Sequence, residues 1–267
     1  MRAKEWASCT QVDLMLKRLD PKRYRRQWVL FNCACCRRAW ERLPAGCRAY
    51  VEAAERYALG TGLKKALAAL KPAAEEALLR SLHAGDPCRN AAASAASTAA
   101  NTTRYCAWNA ARAAGGVGRV AHRRERLAQA GLLREVFGNP YRPVAVEPAW
   151  LEWGGGAVPK VAGAVRADGR FSDLPVLADA LEEAGCTDAD LLSHLRGPGP
   201  HVRGCWAVDL LLGKSCGHAG DRARLAGLHR PGGGVRPPPR QGQRPQVAAV
   251  GPLTYCSARS EPARGRR

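Results

Sequence analysis

Ser172-Asp173-Leu174-Pro175-Val176-Leu177-Ala178-Asp179-Ala180-Leu181-Glu182-Glu183-Ala184-Gly185 carries a full set of helix signals. Ser172 or Asp173 offers a side chain to the free N–H groups of a first turn. Pro175 sits where a missing N–H costs nothing, and Gly185 suits the left-handed residue that ends a helix. Leu177, Ala180, Leu181 and Ala184 recur at the helical repeat of about 3.6 residues, which leaves Asp179, Glu182 and Glu183 for solvent. Thr187-Asp188-Ala189-Asp190 comes close to a capping box ahead of Leu191, Leu192 and Leu195. Gly197-Pro198-Gly199-Pro200 closes that second helix, and a last apolar helix is expected from about Cys205 to Leu212.

The same signals repeat upstream. Thr10 can cap a helix through Val12, Leu14, Met15 and Leu19, and Asp20-Pro21 reads as N-cap and first helical position of another. Lys71-Pro72 opens an expected helix over 72–82, and Asp86-Pro87 precedes the alanine-rich run 91–100. That run continues past Tyr105 and Trp108 until Gly115-Gly116 breaks it. A further amphipathic helix over 119–137 carries Leu127, Leu132, Leu133, Val136 and Phe137, and Gly138-Asn139-Pro140 ends it. The expected fold class is all-α: an irregular multi-helix array of one or two helical subdomains with a disordered C-terminal tail. The expected divisions are an N-terminal subdomain over 1–140, a linker or poorly ordered region over 141–170, a C-terminal helical motif over 171–214 and the tail over 215–267. Pro143 and Pro148, just after Pro140, and the break Gly154-Gly155-Gly156 motivate the linker.

Composition bounds what the chain can be. Of its 267 residues 46% are hydrophobic and only 6% aromatic, so a core has to be built mainly from Ala, Leu and Val. Isoleucine is absent and only eight of the 42 basic residues are lysine, a bias that GC-rich coding produces. The formal net charge is +19, which favours polyanionic partners in general. Eight of those charges belong to 215–267, where ten arginines face only Asp221 and Glu261 among many Gly and Pro residues. Helical periodicity stops at Lys214. The tail therefore reads either as disordered basic sequence or as the product of a frameshift in GC-rich DNA. No segment has the apolar length of a membrane span, and the first residues lack a secretory h-region. Eleven cysteines without a signal point to free thiols in a reducing cytoplasm, and no membrane partner is expected.

Few constellations carry chemistry. Cys33 and Cys36 form a C-x-x-C, and Cys47 is the nearest completion, so these three are weak metal candidates. A helical wheel instead places Trp28, Val29, Cys33, Cys36, Ala39, Trp40 and Leu43 on one apolar face, the pattern of packed thiols. Arg25, Arg26, Arg37 and Arg38 beside that helix, with Arg123 and Arg124 further on, are the candidate nucleic-acid contacts, although such runs are more often solvated faces. His201, Cys205 and Asp209 could supply a nucleophile and base for an enzyme; pairing of Asp209 with Arg203 and packing of Cys205 is the stronger reading. Gly115-Gly116-Val117-Gly118 follows a helix and lacks the Lys-Ser/Thr of a phosphate loop, so no cofactor is expected.

Three stretches together resemble a family. They are Glu5-Trp6 with Cys9-Thr10, then Leu30-Phe31-Asn32-Cys33-Ala34-Cys35-Cys36-Arg37-Arg38, then Phe171 through Cys186 on to His201-Val202-Arg203-Gly204-Cys205-Trp206 and Asp209-Leu210-Leu211-Leu212-Gly213-Lys214. The chain is similar over most of 1–214 to an expanded paralogous family of uncharacterised planctomycete proteins. Members of that family end near the equivalent of Lys214, which implies that the residues after it are foreign to the family. The resemblance implies no activity, ligand or catalytic residue. The functional expectation is a non-enzymatic cytoplasmic helical module acting through an unknown protein partner, with a nucleic-acid-associated protein as the alternative.

Overall fold

The computed structural model describes residues 1–102, 104–115 and 118–214. Among them the chain forms twelve α-helices and no strand, so the all-α expectation holds. The helices are α1 (Ala3–Ser8), α2 (Val12–Leu16), α3 (Arg25–Arg38), α4 (Ala45–Leu59), α5 (Lys64–His83), α6 (Pro87–Ser97), α7 (Tyr105–Gly115), α8 (Arg119–Phe137), α9 (Pro148–Asp168), α10 (Leu174–Glu183), α11 (Ala189–Arg196) and α12 (Trp206–Leu211). The tail expected over 215–267 lies outside the described residues.

Local signals act where the sequence places them, with instructive exceptions. Asp86 Oδ1 accepts the Cys88 and Arg89 N–H groups at 2.9 and 3.0 Å, and Asp188 Oδ1 accepts the Leu191 N–H at 2.9 Å. Asp20-Pro21, by contrast, opens a turn. Asp20 takes the Lys22 N–H, and α3 begins only at Arg25. Pro72 does not start a helix either; it sits inside α5. Proline costs about 3 kcal/mol in a helix interior. Strong helix formers on both sides, with Ala74 and Ala77 buried against the protein, outweigh that cost here.

Two hydrophobic cores organise the helices. The N-terminal core runs from Trp6 to Phe137 around α3, which is buried continuously from Gln27 to Cys36. The single apolar face expected for α3 is thus a central helix surrounded on all sides. Its neighbours include α6 and α7, whose Ala91, Ala92, Ala93, Ala95, Ala96, Ala107, Ala110, Ala111 and Ala113 are all buried. Alanine faces let helix axes approach to the short end of the roughly 8–10 Å packing range, which is how a core with few aromatics closes.

The C-terminal core gathers α9 to α12. This corrects the linker expected over 141–170. The glycine break is real but short: Trp153 to Gly156 leave helical geometry, with φ of +57°, +66° and +83° at the three glycines. From Ala157 onward α9 is helical again and buries Val158, Ala162 and Val165 along one stripe. The spacing of these three residues recruits the segment to the core despite the glycines.

Candidate functional site

Helix α11 ends at Arg196, and the chain turns through Gly197-Pro198-Gly199-Pro200 before α12 starts at Trp206. This short return brings His194, His201 and Cys205 to one point. Glu135, in the last turn of α8, meets them from the N-terminal core. One donor atom from each of the four lies within 4.8 Å of the others. His194 Nε2 is 3.2 Å from Cys205 Sγ and 3.3 Å from Glu135 Oε2, and His201 Nδ1 is 3.4 Å from the same carboxylate oxygen.

The surroundings fix each group. The Val202 N–H donates to Glu135 Oε1 at 3.2 Å, so Oε2 is the oxygen left facing the imidazoles. His201 Nε2 lies 3.1 Å from the Gly197 carbonyl oxygen, to which it can only donate. In the neutral ring, Nδ1 is then an acceptor pointing at an acceptor, and it is buried without a hydrogen-bond partner. His194 packs edge-on against His201 and at a tilt against the Trp206 ring, at centroid separations of 5.3 and 5.1 Å. Burial pulls the His194 pKa below the usual histidine value. The Glu135 carboxylate raises that of His201. Burial first, and then the Glu135 charge, push the Cys205 thiol well above its ordinary value. Gly204, just before Cys205, has φ +94°, and a Cβ there would lie 2.6 Å from Leu30 Cδ1. The approach of this loop to α3 therefore requires glycine.

Of the three residues considered for an enzyme, His201 and Cys205 come together and Asp209 does not. Asp209 is turned away into a buried ion pair with Arg26, at 2.6 Å, with Arg166 at 3.7 Å. Its partner is thus not Arg203. Glu135 and His194 were missed in the sequence. His194 could have been found, because His194, His201 and Cys205 fall within twelve residues. Glu135 is 59 positions before His194 and had no local signal.

The metal candidates in the first half do not converge. Cys33 Sγ donates to the Val51 carbonyl at 3.7 Å and Cys47 Sγ to that of Ala74 at 3.7 Å, while Cys36 Sγ faces Cys106 Sγ at 3.6 Å. Packing against separate neighbours is what the apolar wheel implies.

The candidate arginines divide in two. Arg26, Arg37 and Arg38 are held by the buried carboxylates of Asp209, Glu55 and Glu125. Arg26 is largely buried, while Arg37 and Arg38 stay about 40% exposed with their charge paired. Arg25, Arg123 and Arg124 are exposed. The last two belong to the α7–α8 hairpin, which also exposes Arg104, Arg112 and Arg119. Tyr105 (70% exposed), Trp108 (43%), Val120 (71%) and Leu127 (44%) stand among them. The two carboxylates of this hairpin, Glu125 and Glu135, are both buried.

Among the described residues, no helix is long and apolar enough to cross a membrane. No protein-family model, curated protein or solved structure matches the chain.

Proposed function

We propose that the protein is a non-enzymatic helical module that works by contact, and that its α7–α8 hairpin holds single-stranded nucleic acid. One observation carries this reading: five exposed arginines and two exposed aromatic rings share a hairpin with no exposed acid. Tyr105, Trp108 and Arg112 are spaced i, i+3 and i+7, which places them on one face of α7. Positions 119, 120, 123, 124 and 127 span about 140° of α8, at about 100° per residue. Both helices pack against α3, so both outer faces point away from it. Arginines neutralise phosphates, and aromatic rings offer bases a stacking surface. The Arg112 guanidinium already lies 4.8 Å above the Trp108 ring, which leaves the other ring face for a base.

The test is fluorescence anisotropy of a labelled mixed-sequence RNA of about 20 nucleotides with the full chain. Binding is expected to weaken steeply between about 50 and 200 mM salt. Trp108→Ala, or Arg123→Glu with Arg124→Glu, is expected to cost about tenfold in Kd. Reversing the exposed Lys64 and Lys65 on α5 is the matched control for charge. Equal losses in the control and the hairpin variants would remove the hairpin from the reading.

A second reading, contact with a protein, is favoured by α5. Leu79 and Leu82, one turn apart, are 56% and 51% exposed, and Leu63 just before the helix is 76% exposed. Cross-linking of the full chain in cell extract, lost in Leu79→Glu/Leu82→Glu and kept in the hairpin variants, would favour it.

A further inference from the structure

Buried carboxylates in this protein come with guanidinium groups. Glu55 has Arg37, Glu125 has Arg38, and Asp209 has Arg26 and Arg166. Glu135 is the exception. Its side chain is 3% exposed, yet among the described residues only two imidazoles stand within ion-pair distance of it. Taking a carboxylate out of water costs several kcal/mol unless a cation or a full set of donors receives it. One backbone N–H meets Oε1, Oε2 faces two ring nitrogens, and the Cys205 thiol lies 3.2 Å from one of these nitrogens.

The spacing of those four atoms is informative. Zinc binds nitrogen and oxygen donors at about 2.0–2.2 Å and sulfur at about 2.3 Å, usually as a tetrahedron. A tetrahedron with bonds of that length has edges of about 3.4 Å. Three of the six separations are 3.2, 3.3 and 3.4 Å, and all six are within 4.8 Å. Three edges already match those of such a tetrahedron, and side-chain shifts within the 4.8 Å cluster would close the others around one small ion.

We propose that Glu135 Oε2, His194 Nε2, His201 Nδ1 and Cys205 Sγ bind one divalent ion of the zinc class. The thiol gives up its proton to solvent as the Sγ–metal bond forms, so one carboxylate, one thiolate and two neutral imidazoles balance the two positive charges. Thiolate and imidazole select zinc-like ions over magnesium and calcium, which want oxygen donors. The outer contacts are those that ligands need. His201 donates Nε2–H to the Gly197 carbonyl, which leaves Nδ1 free to bind, and the Val202 N–H orients the carboxylate. Four protein donors make a closed, structural site. The ion would staple α8 of the N-terminal core to the α11–α12 loop of the C-terminal core. This site is separate from the α7–α8 surface proposed above and stands without it.

The experiment uses the full chain, expressed with zinc and desalted, with elemental analysis followed by substitution with Co2+. About one zinc per chain is expected. The cobalt form should show the visible bands of a tetrahedral ion and a near-ultraviolet charge-transfer band from a single thiolate. Cys205→Ser should lose the charge-transfer band, and Glu135→Gln or His201→Ala should retain less than about a tenth of the metal. His122→Ala, half-buried elsewhere on α8, should retain it. Chain that is folded by circular dichroism but holds no zinc and gives no cobalt bands would overturn the proposal. So would a charge-transfer band that survives in Cys205→Ser, or a cobalt spectrum of several thiolates, which would put the ion among the α3 cysteines. The wild-type spectrum decides the matter even where a variant fails to fold.

Discussion

Arg26 and Asp209, 183 positions apart in sequence, meet through two hydrogen bonds of 2.6 and 3.1 Å between one guanidinium and one carboxylate. Arg26 also donates through Nε to the Ala58 carbonyl at 2.8 Å, and Arg166 donates to that of Leu59. The last carbonyls of α4, which have no helical partner, are thus capped by two cations that share Asp209. The pair ties α3 in one core to α12 in the other. Both side chains are largely buried, 17% and 5% exposed. Removing one partner of such a pair leaves a buried uncompensated charge. Asp209→Ala is therefore expected to destabilise the protein by about 3–5 kcal/mol in urea unfolding. Arg26→Met with Asp209→Leu should lose less than Asp209→Ala alone; a larger loss would show that the pair adds stability beyond satisfying itself.

Gly204→Ala should destabilise as well, by a different route. The backbone there has φ +94°, which strains any residue with a Cβ, and the new methyl would sit 2.6 Å from Leu30 Cδ1. Strain and overpacking each cost about 1–3 kcal/mol. In a Leu30→Ala background the 2.6 Å clash with Cδ1 disappears, leaving only the Leu30 Cβ at 3.2 Å, while the φ strain stays. The glycine substitution should then cost clearly less than it does in the wild type. Equal costs in both backgrounds would mean that strain alone makes Gly204 necessary.

These two sites show where sequence reading succeeds and where it stops. Helices capped by a local side chain were legible, because Asp86 and Asp188 act on N–H groups three residues away or fewer. The α8 boundaries, 119 and 137, were legible because glycines flank both ends. The start of α3 was misplaced because Asp20-Pro21 can open either a helix or a turn, and the buried side chains of Gln27 to Cys36 set the helix instead. The candidate site was half legible. His201 and Cys205 are four residues apart, but Glu135 reaches them only through the packing of α8 on the C-terminal core. Asp209 looked chemical by its nearness to Cys205 in sequence. The fold gives it instead to Arg26 of α3, whose guanidinium it meets at 2.6 Å.

Thiol chemistry should follow burial rather than cysteine spacing. Burial pushes the Cys33, Cys35 and Cys106 thiols far above their ordinary value, and that of Cys47 to about 11. The thiolate is the reactive form, so these four should resist iodoacetamide at about pH 8 in the native protein. Cys9 and Cys88 are partly exposed and should be alkylated first. Peptide mass spectrometry after a timed reaction checks this, and all nine described cysteines should react in denaturant. Fast native labelling of Cys33 or Cys106 would show that the core around α3 opens readily.

Asp86, which belongs to neither proposed site, provides a pH test. The Arg89 backbone N–H, and then that of Cys88, hold its carboxyl below the usual aspartate value in the folded protein. In the unfolded chain the group returns to about 3.9. A depressed acid pKa stabilises the fold above the unfolded value, and that contribution is lost as pH falls through the folded one. Asp86→Asn keeps a capping oxygen but cannot titrate. The wild type should therefore be the more stable of the two at pH 6. The Tm difference between them should shrink from about pH 5 to pH 3, since only the wild type loses this contribution there. A difference that stays constant across that range would mean that the Asp86 charge adds nothing to the cap of α6.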